Sequence, residues 1–175
     1  MHFKNTLTEY GLISKFLHWI SALLLIAQIP IGFYLVDLDF SQVRIKIENI
    51  HVFIGLFIFY VIIFRLIYKI INPTPKLNLS IFKGQKFLAK INHILLYLAI
   101  SSITISGILK KLFNGEELII FFKTFKIRDN FELSELFYDI HIFSNYLIIV
   151  LIIVHILAVI IHKVLFNDNL LKKIL

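Results

Sequence analysis

Seven histidines are the residues of this sequence whose type and spacing can support chemistry in an otherwise apolar background. Imidazole is the commonest metal ligand in proteins, and an ionisable residue inside a membrane span is unfavourable enough to indicate a function. His141 and His155 are 14 residues apart, which is close to four helical turns and about 21 Å along a helix axis. They therefore share one helix face at two depths, as two separate metal sites require. The seven are His2, His18, His51, His93, His141, His155 and His162.

Composition limits both the chemistry and the surroundings of the chain. There is no cysteine, which excludes disulfides, thiolate metal sites, iron–sulfur clusters and covalently attached c-type heme. Hydrophobic residues make up 59% of the 175 residues, and the mean hydropathy is +0.87. These values predict a single membrane domain over residues 1–175. The formal net charge of +7 collects at the ends of the apolar runs, so membrane phospholipid, and not nucleic acid, is the expected partner.

Four apolar runs are each long enough to cross the hydrocarbon core of a bilayer, which needs about 20 helical residues. None alternates like a strand, and only helices or closed barrels satisfy their backbone groups in lipid. The sequence therefore predicts an all-α integral membrane four-helix bundle. The loop 111–137 is expected to carry a short interfacial helix near 116–126. The predicted membrane helices cover residues 14–36, 48–71, 87–110 and 138–164.

The distribution of lysine and arginine predicts the orientation of the bundle. With both termini on the cytoplasmic side, the inner segments hold 11 of these residues, and the outer loops hold 7 beside nine of the 11 acidic residues. This bias places both chain ends and the loop 72–90 at the cytoplasmic face. The chain is therefore expected to cross the membrane several times.

Each histidine of the last span has a counterpart at its own depth on another span. His18 lies near the inner end of the first span and matches His155, whereas His51 lies near the outer end of the second and matches His141. Two imidazoles on opposite sides of one iron give six-coordinate heme b, which suits electron transfer because no axial position stays open. The predicted cofactor is two hemes b with these four histidines as axial ligands. The alternative is that the four side chains form hydrogen bonds between helices.

Three further side chains each leave two interpretations. Arg65 lies on the histidine face of helix two at the depth of the inner heme, where it can pair with a propionate or extend to the headgroups. His93 begins helix three, either as a polar interfacial residue or as a hydrogen-bond donor to a propionate or a quinone. His162 follows His155 by seven residues and competes with it as the inner ligand. His162 lies about 31 Å from His141 along the helix, at or beyond the inner boundary of the bilayer core, so His155 is favoured as the inner ligand.

Taken in order, several short segments resemble the bacterial cytochrome b561 family of small di-heme, quinone-linked membrane cytochromes. The resemblance covers nearly the whole chain and implies that the same four histidines bind heme b. It also implies a location in the bacterial inner membrane and a quinone partner. One characterised branch of the family oxidises superoxide and passes the electrons to ubiquinone. The segments are LHW around His18, HVFIG at 51–55, FRLIYK followed by PTP at 73–75, NHILLY around His93, the His141–His155 spacing, and DNLLKK at 168–173.

The sequence also departs from the family pattern. Ile140 and Ile142 flank His141 where family members often carry tryptophan and glutamate, and Thr104 stands near the place of a usual proline. These departures concern the outer substrate site, whereas the heme scaffold is intact. The leading interpretation is a membrane electron carrier with quinone as a redox partner. Superoxide oxidation with ubiquinone as acceptor is one candidate activity of such a carrier. The alternatives are the membrane-anchor subunit of a hydrogenase or dehydrogenase complex, and a heme-free membrane protein.

Overall fold

The computed structural model describes residues 2–75, 84–166 and 170–175. Each of its four long helices is long and apolar enough to span a membrane, so the predicted all-α four-helix membrane bundle is confirmed. Lys76, Lys83 and Asp168, which contribute to the predicted orientation and to the family resemblance, lie outside the described residues. The elements are α1 (Leu12–Asp37), α2 (Gln42–Ile71), α3 (Gln85–Phe113), β1 (Leu118–Ile120), β2 (Lys123–Phe125), α4 (Phe131–Leu165) and a 3₁₀ turn (Leu170–Lys173).

Two of the helices begin outside the apolar runs because polar residues cap them further out. The Ser41 side chain accepts a hydrogen bond from the backbone N–H of Arg44 at the start of α2. The Asn130 side chain accepts one from the backbone N–H of Leu133 at the start of α4. Capping of this kind satisfies donors that the first turn leaves unpaired. Helix α4 consequently begins at Phe131 instead of residue 138.

The connection between α3 and α4 contains a β-hairpin, so the prediction of an interfacial helix near 116–126 is wrong. Strands β1 and β2 pair antiparallel, and Phe121 and Phe122 form the turn with positive φ angles of 48° and 64°. β-branched and aromatic residues favour extended backbone, and a helix of about ten residues is marginal in isolation. The backbone N–H of Phe121 donates to the Tyr60 hydroxyl at 3.0 Å, which fixes the hairpin against α2.

The bundle consists of two helix pairs, α1 with α2 and α3 with α4, and α2 packs against α3 to join them. Buried apolar side chains fill the middle, and Ile148 at the centre of this cluster is fully buried. Because lipid tails are as apolar as these side chains, close packing and interhelical hydrogen bonds hold the helices together. One such bond, 2.8 Å long, joins the hydroxyls of Ser102 on α3 and Ser144 on α4.

Both chain ends fold over the same end of the bundle. The amide of Asn5 donates to the Pro73 carbonyl oxygen at 3.1 Å and so attaches residues 2–11 to the end of α2. The indole N–H of Trp19 on α1 donates to the Ile174 carbonyl oxygen at 3.0 Å. The helix ends at this side are therefore covered by both terminal segments of the described chain.

Candidate functional site

Four histidines on three helices meet in two pairs inside the bundle. Helix α4 supplies His141 and His155, which lie on one face about 21 Å apart along its axis. Helix α1 brings His18 to His155, and α2 brings His51 to His141. We call these pairs the His18 level and the His51 level. The two pairs are the ones that depth along the spans predicts.

The rings of each pair are separated by the distance that one metal ion between them requires. Their centroids are 6.4 Å apart at the His18 level and 6.1 Å apart at the His51 level. Two metal–nitrogen bonds of about 2 Å and a ring radius of about 1.2 Å on either side add to roughly 6.4 Å. A direct N–H···N hydrogen bond of about 2.9 Å would set the centroids roughly 5.3 Å apart. The residues present therefore fit an iron held by two imidazoles at each level.

A cavity of about 410 Å³ lies beside the His51 level. Side chains of all four helices line it, most of them apolar, and Arg44, Glu48 and Lys110 line it towards the start of α2. Pockets of this type bury a largely apolar ligand and orient it through a few polar groups. A flat macrocycle with charged groups on one edge is a ligand of that description.

Gly32 and Gly107 are site residues that the sequence argument did not single out. A Cβ atom at Gly107 would lie 3.0 Å from Cε1 and 3.1 Å from Nδ1 of His141. A Cβ atom at Gly32 would lie 3.3 Å from Cε1 of His51. Each glycine lets an imidazole lie directly against the neighbouring helix. The only signal in the sequence was a glycine within a membrane helix, and such glycines also serve ordinary helix packing.

A backbone hydrogen bond fixes the orientation of the His141 ring. Its Nδ1 donates to the carbonyl oxygen of Ile103 on α3 at 2.8 Å. A partner on one ring nitrogen sets the tautomer and leaves the other nitrogen with its lone pair. Nε2 is therefore the nitrogen of His141 that is available to a metal.

The two rings at the His18 level also have partners at Nδ1. The Asn92 amide lies 3.4 Å from Nδ1 of His155, and Nη2 of Arg65 lies 2.8 Å from Nδ1 of His18. A guanidinium group can only donate, so Nδ1 of His18 is the acceptor in its contact with Arg65. Within the described residues, Nδ1 of His51 differs from the other three because it is buried with no hydrogen-bond partner.

Arg65 turns into the bundle at the His18 level instead of extending to the headgroups. Its guanidinium carbon lies 5.5 Å from the centroid of the Tyr97 ring on α3, and Nζ of Lys69 lies 4.6 Å from the same centroid. Cations placed over aromatic rings are attracted by the electrons of the ring face. Tyr10, which precedes α1, adjoins this cluster, and burial raises the pKa of its phenol, so the hydroxyl keeps its proton.

His93 and His162 occupy different environments. The His93 ring lies beside the His18 level, with its centroid 5.2 Å from that of His155. Nδ1 of His93 donates to the Ala89 carbonyl oxygen at 2.6 Å, which leaves the lone pair on Nε2. His162 is buried against the Gln85 side chain at the start of α3. Of the two competitors on α4, the structure therefore brings His155 to His18 and places His162 with Gln85.

A buried lysine ties three segments together beside the His51 level. Lys111 at the end of α3 is only 7% exposed, and its ammonium group lies 3.1 Å from the Glu48 carboxylate on α2. The same ammonium contacts the carboxylate of Glu116 in the connection to β1. One cation therefore holds α2, α3 and the following loop at the edge of the cavity.

We expect Lys111→Met to destabilise the protein by about 1–3 kcal/mol, because it leaves two adjacent carboxylates without their shared cation. This loss of unfolding free energy is smaller than that expected for a fully buried ion pair, because both carboxylates retain access to water. Thermal unfolding in detergent measures the change. Lys126→Met is the control, because it removes an exposed pair with Glu117 and should have little effect. Equal melting temperatures for the two variants would show that the buried cluster adds no stability.

Comparison with known proteins agrees with this arrangement. The family model of prokaryotic cytochrome b561 matches residues 9–175. Cytochrome b561 homolog 2 of Escherichia coli (strain K12) is 30% identical over 122 residues, which are 69% of this chain. The matched region spans 65% of the length of that relative. The match to the family model covers nearly the whole chain and implies a b-type heme as cofactor. This four-helix membrane protein therefore belongs to the prokaryotic cytochrome b561 family.

Proposed function

We propose that this protein is a membrane electron carrier that holds two b-type hemes, one between His18 and His155 and the other between His51 and His141. The observation that supports it most directly is the metal-sized separation of the imidazoles at two levels. Each bound heme would supply a one-electron ferric–ferrous couple. Two imidazoles bound to each iron would leave no open position for oxygen or substrate, which would suit electron transfer.

The part of the protein itself is to hold and orient the ligands and to exclude water. The Ile103 carbonyl keeps the proton of His141 on Nδ1 and so presents Nε2 as the ligand atom. The cluster around Ile148 packs the space between the two levels. Both levels lie on one continuous helix, α4, which sets their separation at about 21 Å.

Arg65 is proposed to pair with a heme propionate at the His18 level. In the structure its Nη2 faces Nδ1 of His18 at 2.8 Å, a bond in which Nδ1 must be the acceptor. When Nε2 of a neutral imidazole binds a metal, the proton stays on Nδ1, which then opposes the guanidinium donors. Ligation by His18 would therefore release Arg65 to a carboxylate, the partner that fits its planar donors best.

Quinone is the proposed redox partner, with His93 as its contact or as a contact for a propionate. The exposed His93 ring adjoins His155, and its unprotonated Nε2 can accept a hydrogen bond from a quinol hydroxyl. Donation to a quinone oxygen or to a propionate would require the charged imidazolium form, in which Nε2 also carries a proton. With both termini cytoplasmic in the bacterial inner membrane, this ring lies near the cytoplasmic face. The specific reaction that we propose for this carrier is the oxidation of superoxide with ubiquinone as the electron acceptor.

Purified protein is expected to show the reduced-minus-oxidised spectrum of a b-type cytochrome and to contain two hemes per chain by pigment extraction. Absence of heme would end the proposal, and a single heme would contradict the two levels. The loaded protein is then given a superoxide source and an oxidised ubiquinone analogue. Quinone reduction above the uncatalysed rate is the expected result. If the hemes react with quinol but not with superoxide, the superoxide step is excluded and the electron-carrier function remains supported.

A further inference from the structure

His51 is the exception among the four paired histidines. The Nδ1 atoms of the other three each contact a carbonyl, an amide or a guanidinium group. Among the described residues, Nδ1 of His51 is buried with no partner, although buried polar atoms are nearly always hydrogen-bonded. A second buried atom without a partner, Oε1 of Gln28, belongs to a side chain that already contacts His51.

Gln28 on α1 is held against the helical turn that carries His51. Its Nε2 donates to the backbone carbonyl oxygen of His51 at 2.8 Å, and the residue is 9% exposed. Gly55, one turn beyond His51, faces this amide, since a Cβ atom there would lie 3.4 Å from Nε2 of Gln28. Gly32, one turn beyond Gln28, faces the imidazole, since a Cβ atom there would lie 3.3 Å from Cε1 of His51. The amide and the imidazole therefore each lie against a glycine of the facing helix.

The two atoms without partners have complementary chemistry. Oε1 of an amide accepts a hydrogen bond, and the N–H of a neutral imidazole donates one. Nδ1 of His51 lies 3.9 Å from a Cβ atom placed on Gly32, so it is close to α1, the helix that carries Gln28. When a metal binds Nε2, the proton stays on Nδ1 and is available for a hydrogen bond. The two atoms are not bonded to each other in the structure, and pairing them while Nε2 of Gln28 keeps its bond to the His51 carbonyl requires a rotation of the imidazole.

We propose that Gln28 is a positioning residue for the iron ligand His51, with Nε2 holding the His51 backbone and Oε1 accepting the Nδ1–H of the ring. This role rests on the proposed function, because it concerns the heme of the His51 level. It is the counterpart of the Ile103 carbonyl at His141. An acceptor at Nδ1 makes the imidazole a stronger electron donor and so favours ferric over ferrous iron.

The test is a redox titration of the His51-level heme alone, in His155→Ala protein that lacks a ligand at the other level. Gln28→Met keeps the volume and removes the acceptor. It should change the ferric-to-ferrous ratio about tenfold, which raises the midpoint potential by about 59 mV. Gln28→Glu keeps an acceptor and should titrate at or below the parent. Ser21→Ala is the control, because this buried hydroxyl on α1 donates to the Leu17 carbonyl.

Three outcomes distinguish this role from its alternatives. Unchanged potentials in both Gln28 variants, with heme still bound, would overturn the positioning role and leave the proposed function intact. Equal rises for Gln28→Met and Gln28→Glu would also overturn it, because they would reflect the lost backbone contact alone. If the His155→Ala protein binds no heme, the two components of the protein with both levels are titrated instead, and only one should move. A parent protein without heme would refute the proposed function itself.

Discussion

His155→Ala is expected to lower the heme content of the purified protein from two per chain to one. The change removes one of the two ligands at the His18 level and leaves the His51 level, about 21 Å away along α4, with both imidazoles. The packed cluster around Ile148 lies between the levels and should stay in place. Heme extraction gives the stoichiometry, and the reduced spectrum shows which component is lost. His18→Ala should remove the same component.

The control is His162→Ala on the same helix. His162 is buried against Gln85, so its removal should leave both hemes bound even if it lowers the stability of the protein. Loss of heme in His162→Ala, together with retention of both hemes in His155→Ala, would reverse the ligand assignment on α4. If His18→Ala and His51→Ala removed the same spectral component, the pairing by depth would be wrong.

The paired histidines could be predicted because helix geometry determines both direction and depth. A separation of 14 residues is almost a whole number of turns, so His141 and His155 had to share a face. The ends of the apolar runs then gave the depth of His18 and His51 relative to the bilayer. The depth of a residue along its helix does not depend on which helices pack beside it, so the levels of all four histidines could be predicted from the sequence.

The atoms around these rings could not be predicted in the same way. The contact of Gly107 with His141 depends on the rotation of α3 relative to α4, and many rotations agree with the hydropathy of both helices. Gln28 is an uncharged polar residue in the first apolar run, and the sequence alone does not show that it reaches the backbone of His51. Periodicity places a residue on a face of its own helix, and only packing shows what that face meets.

The loop before α4 illustrates a different limit. The segment 116–126 is apolar with interspersed lysines, a composition that suits an interfacial helix or a short hairpin equally well. The hairpin results from local preferences of β-branched and aromatic residues together with the contact of Phe121 to Tyr60 on α2. Tyr60 is 61 positions away in the sequence. A tertiary contact of that range is invisible to any local pattern.

Gly107→Ala is expected to weaken heme binding at the His51 level by about 10- to 100-fold, the usual effect of disturbing a group that orients a metal ligand. The added methyl would lie 3.0 Å from Cε1 and 3.1 Å from Nδ1 of His141. The His141 ring cannot withdraw freely, because its Nδ1 is hydrogen-bonded to the carbonyl oxygen of Ile103, which lies one turn before Gly107 on α3. Either the hydrogen bond lengthens or the ring leaves its ligand position. Heme release to an acceptor protein, followed for each spectral component, measures the effect.

Gly55→Ala is the matched control, because it adds the same methyl group at the same level. There the new atom would lie 3.4 Å from Nε2 of Gln28, which is ordinary van der Waals contact, so heme should stay bound. Gly32→Ala, at 3.3 Å from Cε1 of His51, should fall between the two. This order of effects follows from the distances between the added methyl groups and the rings, and general sensitivity of the bundle to larger residues would not produce it. Equal heme loss from Gly107→Ala and Gly55→Ala would show that His141 does not lie against α3 when heme is bound.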